Sequence, residues 1–264
     1  MGSWAVLKCK LAHHASDDPI VFPGQPGGSH LHSFFGARDA NAFSTYESMR
    51  AGGTTCPLSA DTAGYWVPTL RAPTGEPAHV KVLNVYYRAP TGVSVRPFPP
   101  DLRIVAGGDT FNPPDPTASQ RSLSWSCVDR GPFFTSPPTC TQGAVRAHIH
   151  FPSCLAADLP TDSPDHRSHM VYGSRALYGT TWCPSGYVPV PRVTYHVVYG
   201  ITDGAGYRLS SDMDSVEGGR TLHADFWNTW DQAVLEFLVE RCLNAGENCK
   251  SMTDDELVAL GWTG

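Results

Sequence analysis

Histidine is the residue type with the most chemical potential in this sequence. Eleven histidines occur in a chain of which only 17% is charged. A neutral imidazole can ligate a metal, transfer a proton or hydrogen-bond to a sugar. Three pairs are spaced two positions apart: His30 with His32, His148 with His150, and His223 with Asp225. Because residues two apart on a β-strand point to the same side, each pair can serve one site.

These side chains are predicted to meet in one cleft, where an all-β scaffold brings distant strand ends together. The predicted members are His30, His32, His150, His169, His223 and Asp225. Asp225 is the expected base, or the group that orients His223, because a carboxylate beside an imidazole fixes its tautomer and raises its basicity. If a metal is bound, the expected ligands are His30, His32 and His150. The alternative is that each histidine is hydrogen-bonded separately in a partly buried position.

Carboxylates are scarce near these histidines, whereas glycosidic bond hydrolysis generally uses a pair of them. Asp61 is the second predicted catalytic carboxylate. Asp18 is explained by a local turn, and Asp231 by the first turn of a helix, where the helix dipole favours a negative charge. The rings of Tyr65 and Trp66 are predicted to form a platform that stacks on a sugar, although such rings also fill protein cores.

Several established site motifs can be tested against the sequence, and they fail. The segment from Gly24 to His32 resembles the start of a cupin metal motif, but Gly36 and Ala37 stand where that motif needs a glutamate. A copper histidine brace needs an N-terminal histidine, which the start of this sequence does not supply. A Gly-x-Ser-x-Gly elbow, a phosphate-binding glycine-rich loop and a His-Glu-x-x-His helix are also missing from the sequence. Esterase, nucleotide-binding and zincin functions are therefore disfavoured.

The composition limits the class of protein and its partners. The 264 residues are 41% hydrophobic, enough for a sizeable core, and 25 glycines and 23 prolines indicate frequent turns. The net charge is -6, and the few basic residues form no cluster that would neutralise phosphates or anionic lipids. No apolar run reaches the roughly 18 residues of a membrane span. We expect a monomer that binds neither nucleic acid nor membrane.

Short apolar runs between turn-forming residues predict a mainly β fold, namely a single sandwich or jelly-roll-like domain over residues 1–264. Residues 1–3 are interpreted as a remnant of expression. The clearest predicted strands are 65–70, 80–87, 102–106, 123–125, 145–151 and 193–199. Long loops are predicted at 107–121, 129–143 and 156–168. Capping boxes at Thr229 and Thr253 predict a C-terminal helix of about four turns and a second, shorter helix.

The eight cysteines are predicted to form four disulfides in an exported protein, since none of them follows the C-x-x-C spacing of zinc or redox sites. Short loops close at the lowest entropic cost. This criterion favours Cys242 with Cys249, Cys154 with Cys183, and Cys127 with Cys140, which leaves Cys9 with Cys56.

Eight ordered blocks carry a resemblance to a known family. They are Asp18-Pro-Ile-Val with Pro23-Gly24, Ser29-His-Leu-His32 with Phe34-Phe35-Gly36, Asp61-x3-Tyr65-Trp66-Val-Pro68, Pro97-Phe-Pro99, His150-Phe-Pro-Ser-Cys154, Ser168-His-Met170, Cys183-Pro184 and His223-Ala-Asp225-Phe226. From Trp4 to about Trp230 the chain resembles the secreted domain-of-unknown-function family numbered nineteen ninety-six, found in filamentous fungi and actinobacteria. The resemblance implies export, and because some members carry carbohydrate-binding modules, it implies a cell-wall or biomass polysaccharide as substrate. At residues 155–157 the chain has Leu-Ala-Ala where the family usually shows Trp-Asp-Gly.

The predicted function is a secreted, extracellular glycoside hydrolase that acts on a polysaccharide or oligosaccharide and requires no cofactor. The predicted catalytic residues are Asp225, His223, Asp61 and His150, and the predicted substrate contacts are His30, His32, His169, Tyr65 and Trp66. Two alternatives stay open. The first is a metal-binding or metal-dependent protein that uses the same histidines with a divalent metal, and the second is a noncatalytic glycan-binding module.

Overall fold

The computed structural model describes residues 2–108, 122–129, 131–213 and 218–264. It is mostly β, with 32% strand and 12% helix, and its sheets are arranged as in a sandwich, which confirms the predicted fold class. The strands are β1 (Trp4–Cys9), β2 (Leu11–Ala15), β3 (His32–Gly36), β4 (Gly64–Pro68), β5 (Leu70–Arg71), β6 (Val80–Arg88), β7 (Arg103–Gly107), β8 (Leu123–Cys127), β9 (Val145–His150), β10 (Cys154–Ala156), β11 (Met170–Val171), β12 (Tyr187–Pro189), β13 (Arg192–Tyr199), β14 (Arg208–Leu209), β15 (His223–Trp227) and β16 (Asn248–Cys249). The helices are α1 (Tyr46–Ala51), α2 (Arg175–Tyr178), α3 (Gln232–Leu238), which continues as a π-helix (Val239–Asn244), and α4 (Asp254–Ala259).

The larger sheet has six strands in the order β16-β1-β6-β13-β9-β8. Buried residues alternate with more exposed ones along β6 and β13, because one face of the sheet packs inward and the other faces outward. The inward face carries apolar side chains such as Leu83 and Ile149. The outward face carries His148 and His196, which are direct partners across β9 and β13.

The smaller main sheet has five strands in the order β2-β3-β4-β15-β7, all antiparallel. Every residue of β3, β4 and β15 is buried, because this sheet is covered on both faces. Its outer face lies under a small apolar cluster that includes Ile20, Phe34 and Trp66. The loop between β10 and β11 also covers this sheet. It is held to β7 by the Val105 N–H, which donates to the His166 carbonyl over 3.1 Å.

Aromatic side chains fill the space between the two main sheets. The rings of Tyr65 on β4 and Tyr195 on β13 lie 5.7 Å apart, and Phe226 on β15 stacks on Tyr65 at 5.8 Å. The Tyr195 hydroxyl donates to the Asp225 carbonyl over 2.8 Å. Large buried rings contribute much of the apolar burial that stabilises a domain. Since Ala224 and Phe226 point into this core, the side chains of His223 and Asp225 must point to the outer face of the five-stranded sheet.

The four predicted disulfides are confirmed, with the predicted pairs. Cys9 bonds to Cys56, Cys127 to Cys140, Cys154 to Cys183, and Cys242 to Cys249. The described residues include no free cysteine. Structural disulfides persist in oxidising compartments, so the framework is compatible with an extracellular protein.

The predicted start of the C-terminal helix is wrong by a few residues. Asp231, rather than Thr229, caps α3 and accepts hydrogen bonds from the N–H groups of Ala233 and Val234. The Thr229 hydroxyl instead donates to the Thr62 carbonyl, because it is buried against the chain before β4. The capping residue of α4 is Thr253, as predicted, and its hydroxyl accepts from the Glu256 N–H.

All six strands that we predicted are present, with ends shifted by up to two residues. The predicted loop at 107–121 falls almost wholly outside the described residues, whereas most of the loop at 129–143 and all of that at 156–168 are described. Within the described ranges, no helix combines the length and the apolar character that a membrane crossing requires.

Candidate functional site

Three imidazoles meet on the outer face of the five-stranded sheet. His32 begins β3, His30 precedes it, and His223 begins β15. The ring centroids are 4.2 Å apart for His30 and His32, 5.0 Å for His30 and His223, and 5.9 Å for His32 and His223. One ring nitrogen from each residue lies within 4.8 Å of the other two. This separation suits three ligands of a single metal ion.

Backbone carbonyls set the orientation of two of these rings. His32 Nδ1 lies 2.9 Å from the Asp17 carbonyl oxygen, and His223 Nδ1 lies 2.8 Å from that of Thr221. A carbonyl can only accept, so both Nδ1 atoms carry a proton, and in a neutral ring Nε2 then carries the lone pair. This arrangement is typical of metal-binding histidines, whose second nitrogen donates to a carbonyl or carboxylate. Burial, and then the nearby His30 and His223, hold the pKa of His32 well below its usual range, so its ring is neutral.

Two carboxylates adjoin the imidazoles. Asp18, His32 and Asp225 each offer one ligand atom within 4.8 Å of the other two. Burial raises the pKa of both aspartates, and the negative charge of Asp18 raises that of Asp225 further. The charge of Arg167 acts in the opposite direction and lowers the pKa of Asp225. Hydrogen bonds from the N–H groups of Val21 and Ile20 do the same at Asp18. The centre thus combines three imidazoles, of which that of His32 is neutral, with two buried carboxyl groups.

Asp225 is the most unusual of these groups. Its side chain lies between Trp66 and Val105, its direct partners on β4 and β7. Both of its carboxylate oxygens are buried and have no hydrogen-bond partner among the described residues, and the same holds for His32 Nε2. Buried polar atoms are nearly always paired, so three such atoms within one cluster call for an explanation such as an ion.

Four members of the cluster, Asp18, His30, His223 and Asp225, line an open cleft with a volume of about 580 Å³, whereas His32 is fully buried. Its walls come from the segment before β3, from β7 and β15, and from the loop after β10. The lining residues are Asp18, Val21, Phe22, Gly28, Ser29, His30, Val105, Pro164, Asp165, His166, Arg167, His223 and Asp225. Phe22 and Val21 are partly exposed at 36% and 39%. The cleft therefore joins a polar centre to an accessible apolar rim.

His169 holds one wall of the cleft and does not line it. Its Nε2 lies 2.8 Å from the Arg103 carbonyl oxygen, and its Nδ1 lies 2.8 Å from the Ser163 hydroxyl. These bonds join the loop after β10 to β7. His169 was predicted as a substrate contact in the shared cleft, but both of its ring nitrogens bond within the protein, so it fixes the position of the loop instead.

His150 lies in a different place, which corrects the prediction of one shared cleft. It ends β9 in the six-stranded sheet, with its ring on the outward face and its Nδ1 2.9 Å from the Thr194 hydroxyl. The two main sheets separate it from His32. The spacing of two positions placed both members of a histidine pair on one side of the chain. It could not show that the His30–His32 and His148–His150 pairs belong to different sheets.

The placement of three other predicted site residues also differs from the expectation. Asp61 is fully buried, accepts a 2.7 Å hydrogen bond from the Tyr65 hydroxyl and does not line the cleft. Tyr65 lies between the sheets, and Trp66 lies under Phe34, so neither ring presents a face to a sugar. The rings fill apolar layers because each strand of this sheet is covered on both faces.

Sequence reasoning assigned Asp18 to a turn and overlooked Phe22 and Arg167. Asp18 does cap the turn, since its Oδ1 accepts from the N–H groups of Ile20 and Val21. It also faces Asp225, a long-range contact for which the sequence has no signal. The sequence offered one clue to Phe22, namely that it is an aromatic residue four positions after Asp18.

A protein-family model described as "Domain of unknown function (DUF1996)" matches residues 18–230 of the chain. The match begins at the cleft residue Asp18 and includes the whole cluster of His30, His32, His223, Asp18 and Asp225. Comparison with curated proteins and with solved structures found no match.

Proposed function

The chain belongs to this family of unknown function, and we propose that it is a polysaccharide hydrolase whose reaction centre is a metal ion held by His30, His32 and His223. One observation carries the proposal: the three imidazoles converge beside Asp225, whose buried oxygens have no partner in the described residues. A divalent cation would neutralise that carboxylate and occupy the lone pair of His32. Sites that combine imidazole and carboxylate ligands suit zinc, iron, manganese and copper.

The residues around this centre fit hydrolysis. A bound divalent ion lowers the pKa of a coordinated water and so supplies a nucleophile near neutral pH. Asp18 and Asp225 would provide the carboxylates that accept the proton of the attacking water and return a proton to the leaving group. Arg167, whose guanidinium donates to the Gly107 carbonyl, is held in the cleft wall to bind a substrate hydroxyl.

A glycan substrate is supported by the rest of the lining. Sugars bind through hydrogen bonds to their hydroxyls and through contact of their apolar faces with aromatic rings. The cleft has hydroxyl and carboxyl groups from Ser29 and Asp165 and an accessible ring from Phe22. Export to the extracellular space, where polysaccharide is met, is part of the same proposal and agrees with the four disulfides.

The test combines metal analysis with a screen of polysaccharides. Protein purified without chelators or metal resins should contain an equimolar amount of a transition metal. It should release oligosaccharides from at least one polysaccharide, chelation should stop the release, and the same metal should restore it. His30→Gln and His32→Gln should lose metal and activity together, whereas His79→Gln, at an exposed position outside the cleft, should keep both. Metal binding in the wild type that these two variants do not reduce would overturn the proposed centre.

A second candidate, a metal-free glycoside hydrolase, is favoured by the pair of carboxylates. Asp18 and Asp225 have oxygens within 4.8 Å, and carboxyl groups about 5 Å apart are typical of retaining enzymes. The raised pKa of both groups suits one of them to act as the general acid. Activity that survives chelation and is lost in both Asp18→Asn and Asp225→Asn would favour this candidate. Binding of a glycan without any turnover would instead identify a noncatalytic module.

A further inference from the structure

A second unusual surface lies on the outer face of the six-stranded sheet. Arg88 on β6 and Arg192 on β13 are direct partners across two antiparallel strands, and both side chains are half-buried. Like charges that face each other in this position repel and destabilise a sheet. The pair therefore requires something that compensates its charge.

No ion pair within the described part of the chain compensates this charge. The Nε of each arginine is buried without a hydrogen-bond partner there, and the ion pairs of the described residues involve neither side chain. Burial lowers the pKa of both, and Arg88 lowers that of Arg192 further. Arg146, on the same face, differs because it donates to His148 and to the Ser126 hydroxyl.

Aromatic and imidazole rings border the two guanidinium groups. The Arg88 guanidinium carbon lies 4.4 Å from the centroid of the Tyr86 ring, and Trp4 contacts Tyr86 edge-on at 5.8 Å. Burial lowers the pKa of His150 to about 3, with further contributions from the charges of Arg192, His148 and Arg88. His150 therefore lies close to both arginines. The two arginines thus keep their charge in a partly desolvated, ring-lined position, where a hydrogen bond to an anion is stronger than in open water.

We propose that Arg88 and Arg192 form an oxyanion-binding site for a carboxylate, sulfate or phosphate group, either free or carried by an acidic polysaccharide. A planar guanidinium can donate two parallel hydrogen bonds to such a group, and two guanidiniums side by side can hold one group between them. Tyr86 and Trp4 provide an adjacent surface for a sugar ring. The site is independent of the proposed metal centre, because the two lie on opposite outer faces of the sandwich.

The test measures binding of inorganic phosphate and of an oligogalacturonate to the intact protein at low ionic strength. Arg88→Gln and Arg192→Gln should each weaken phosphate binding about tenfold, the effect of losing a charge-assisted hydrogen bond. Arg38→Gln is the matched control, since Arg38 is an exposed arginine in the other sheet's loop. Thermal unfolding without anion provides a second readout. If the arginines served only to stabilise the fold, Arg192→Gln would lower the midpoint; removal of like-charge repulsion should instead maintain or raise it.

The two probes distinguish the sources of the anion. Phosphate binding that both substitutions weaken supports the site, and oligogalacturonate binding that weakens in parallel identifies an acidic glycan as its carrier. Loss of phosphate binding alone identifies a free anion as the ligand. Failure of the wild type to bind either probe, or equal binding by wild type, Arg88→Gln and Arg192→Gln, would overturn the proposal.

Discussion

Asp225 is the residue on which the proposed centre depends most. Its carboxylate is surrounded by Trp66, Val105 and the imidazoles, and none of the described residues donates a hydrogen bond to it. A buried polar group without a hydrogen-bond partner destabilises a fold, so its presence here agrees with a functional role.

Asp225→Asn should therefore separate function from stability. The amide has the same shape as the carboxylate and removes its charge, so we expect metal content to fall and hydrolysis to decrease at least about a hundredfold. The midpoint of thermal unfolding should stay the same or rise. Metal analysis, turnover and calorimetry on one preparation measure the three quantities. Asp255→Asn, in the exposed first turn of α4, should change none of them. A variant that loses thermal stability alone would contradict the shared site.

Asp61 should make stability depend on pH without a part in catalysis. Burial raises its pKa to about 8, against the opposing hydrogen bonds from Tyr65 and from the Ala63 N–H. In the unfolded chain the carboxyl loses its proton near pH 4, whereas the folded chain retains it to about pH 8. The free energy of unfolding should consequently decrease as the pH rises through this window.

Urea unfolding at several pH values compares wild type with Asp61→Asn. Asn cannot titrate, so the variant should show a smaller decrease between pH 4 and 8. The comparison is needed because burial also raises the pKa of Asp18 and Asp225. Identical pH profiles for the two proteins would show that Asp61 is not protonated in the fold.

Phe22 should contact the substrate in place of the predicted platform of Tyr65 and Trp66. Its ring is 36% exposed at the rim of the cleft. Loss of a ring contact is worth about 0.5–1.5 kcal/mol, or roughly two- to tenfold. Phe22→Ala should raise KM by this factor and leave kcat nearly unchanged. Phe43→Ala removes a ring that is 67% exposed and outside the cleft lining, and it should leave both constants as they are.

At the scale of elements, the cap of α3 has a measurable effect. Asp231 accepts two backbone hydrogen bonds at the helix start and also forms an exposed 3.4 Å ion pair with Arg50. Asp231→Ala should lower the free energy of unfolding by about 1 kcal/mol, since a cap of this kind is typically worth that amount. Asp231→Asn retains the cap and loses the ion pair, so it should cost less than Asp231→Ala in chemical unfolding. Equal losses would assign the effect to the ion pair.

At the scale of the whole molecule, the disulfides should differ in their contribution to stability. The Cys9–Cys56 bond spans 47 residues and the Cys242–Cys249 bond spans 7. The chain-entropy treatment gives about 4 kcal/mol for the first and about 2.4 kcal/mol for the second. Replacing both cysteines of each pair by alanine and measuring urea unfolding tests this order. A larger loss for the shorter loop would show that strain or packing, rather than loop entropy, governs the contribution.

Features that depend on neighbours in the chain could be predicted from the sequence. The alternation of apolar residues and the frequent turns indicated β structure, the shortest loops between cysteines identified all four disulfides, and the Thr253 box marked α4. Each of these depends on distances of a few residues or on the entropy of closing one loop. Local geometry and loop closure are nearly the same whatever the remainder of the chain does.

Only the tertiary structure decided which of these residues share a site. A period of two places His30 with His32, and His148 with His150, but it does not say which sheet a strand joins or which of its faces is covered. His32 lies beside Asp225 because β3 and β15 both pair with β4. Tyr65 and Trp66 are buried because apolar layers cover both faces of that strand. His32 and Asp225 are nearly 200 positions apart in the sequence. They are selected by the burial of the whole apolar surface, a property of the folded molecule that no single segment carries.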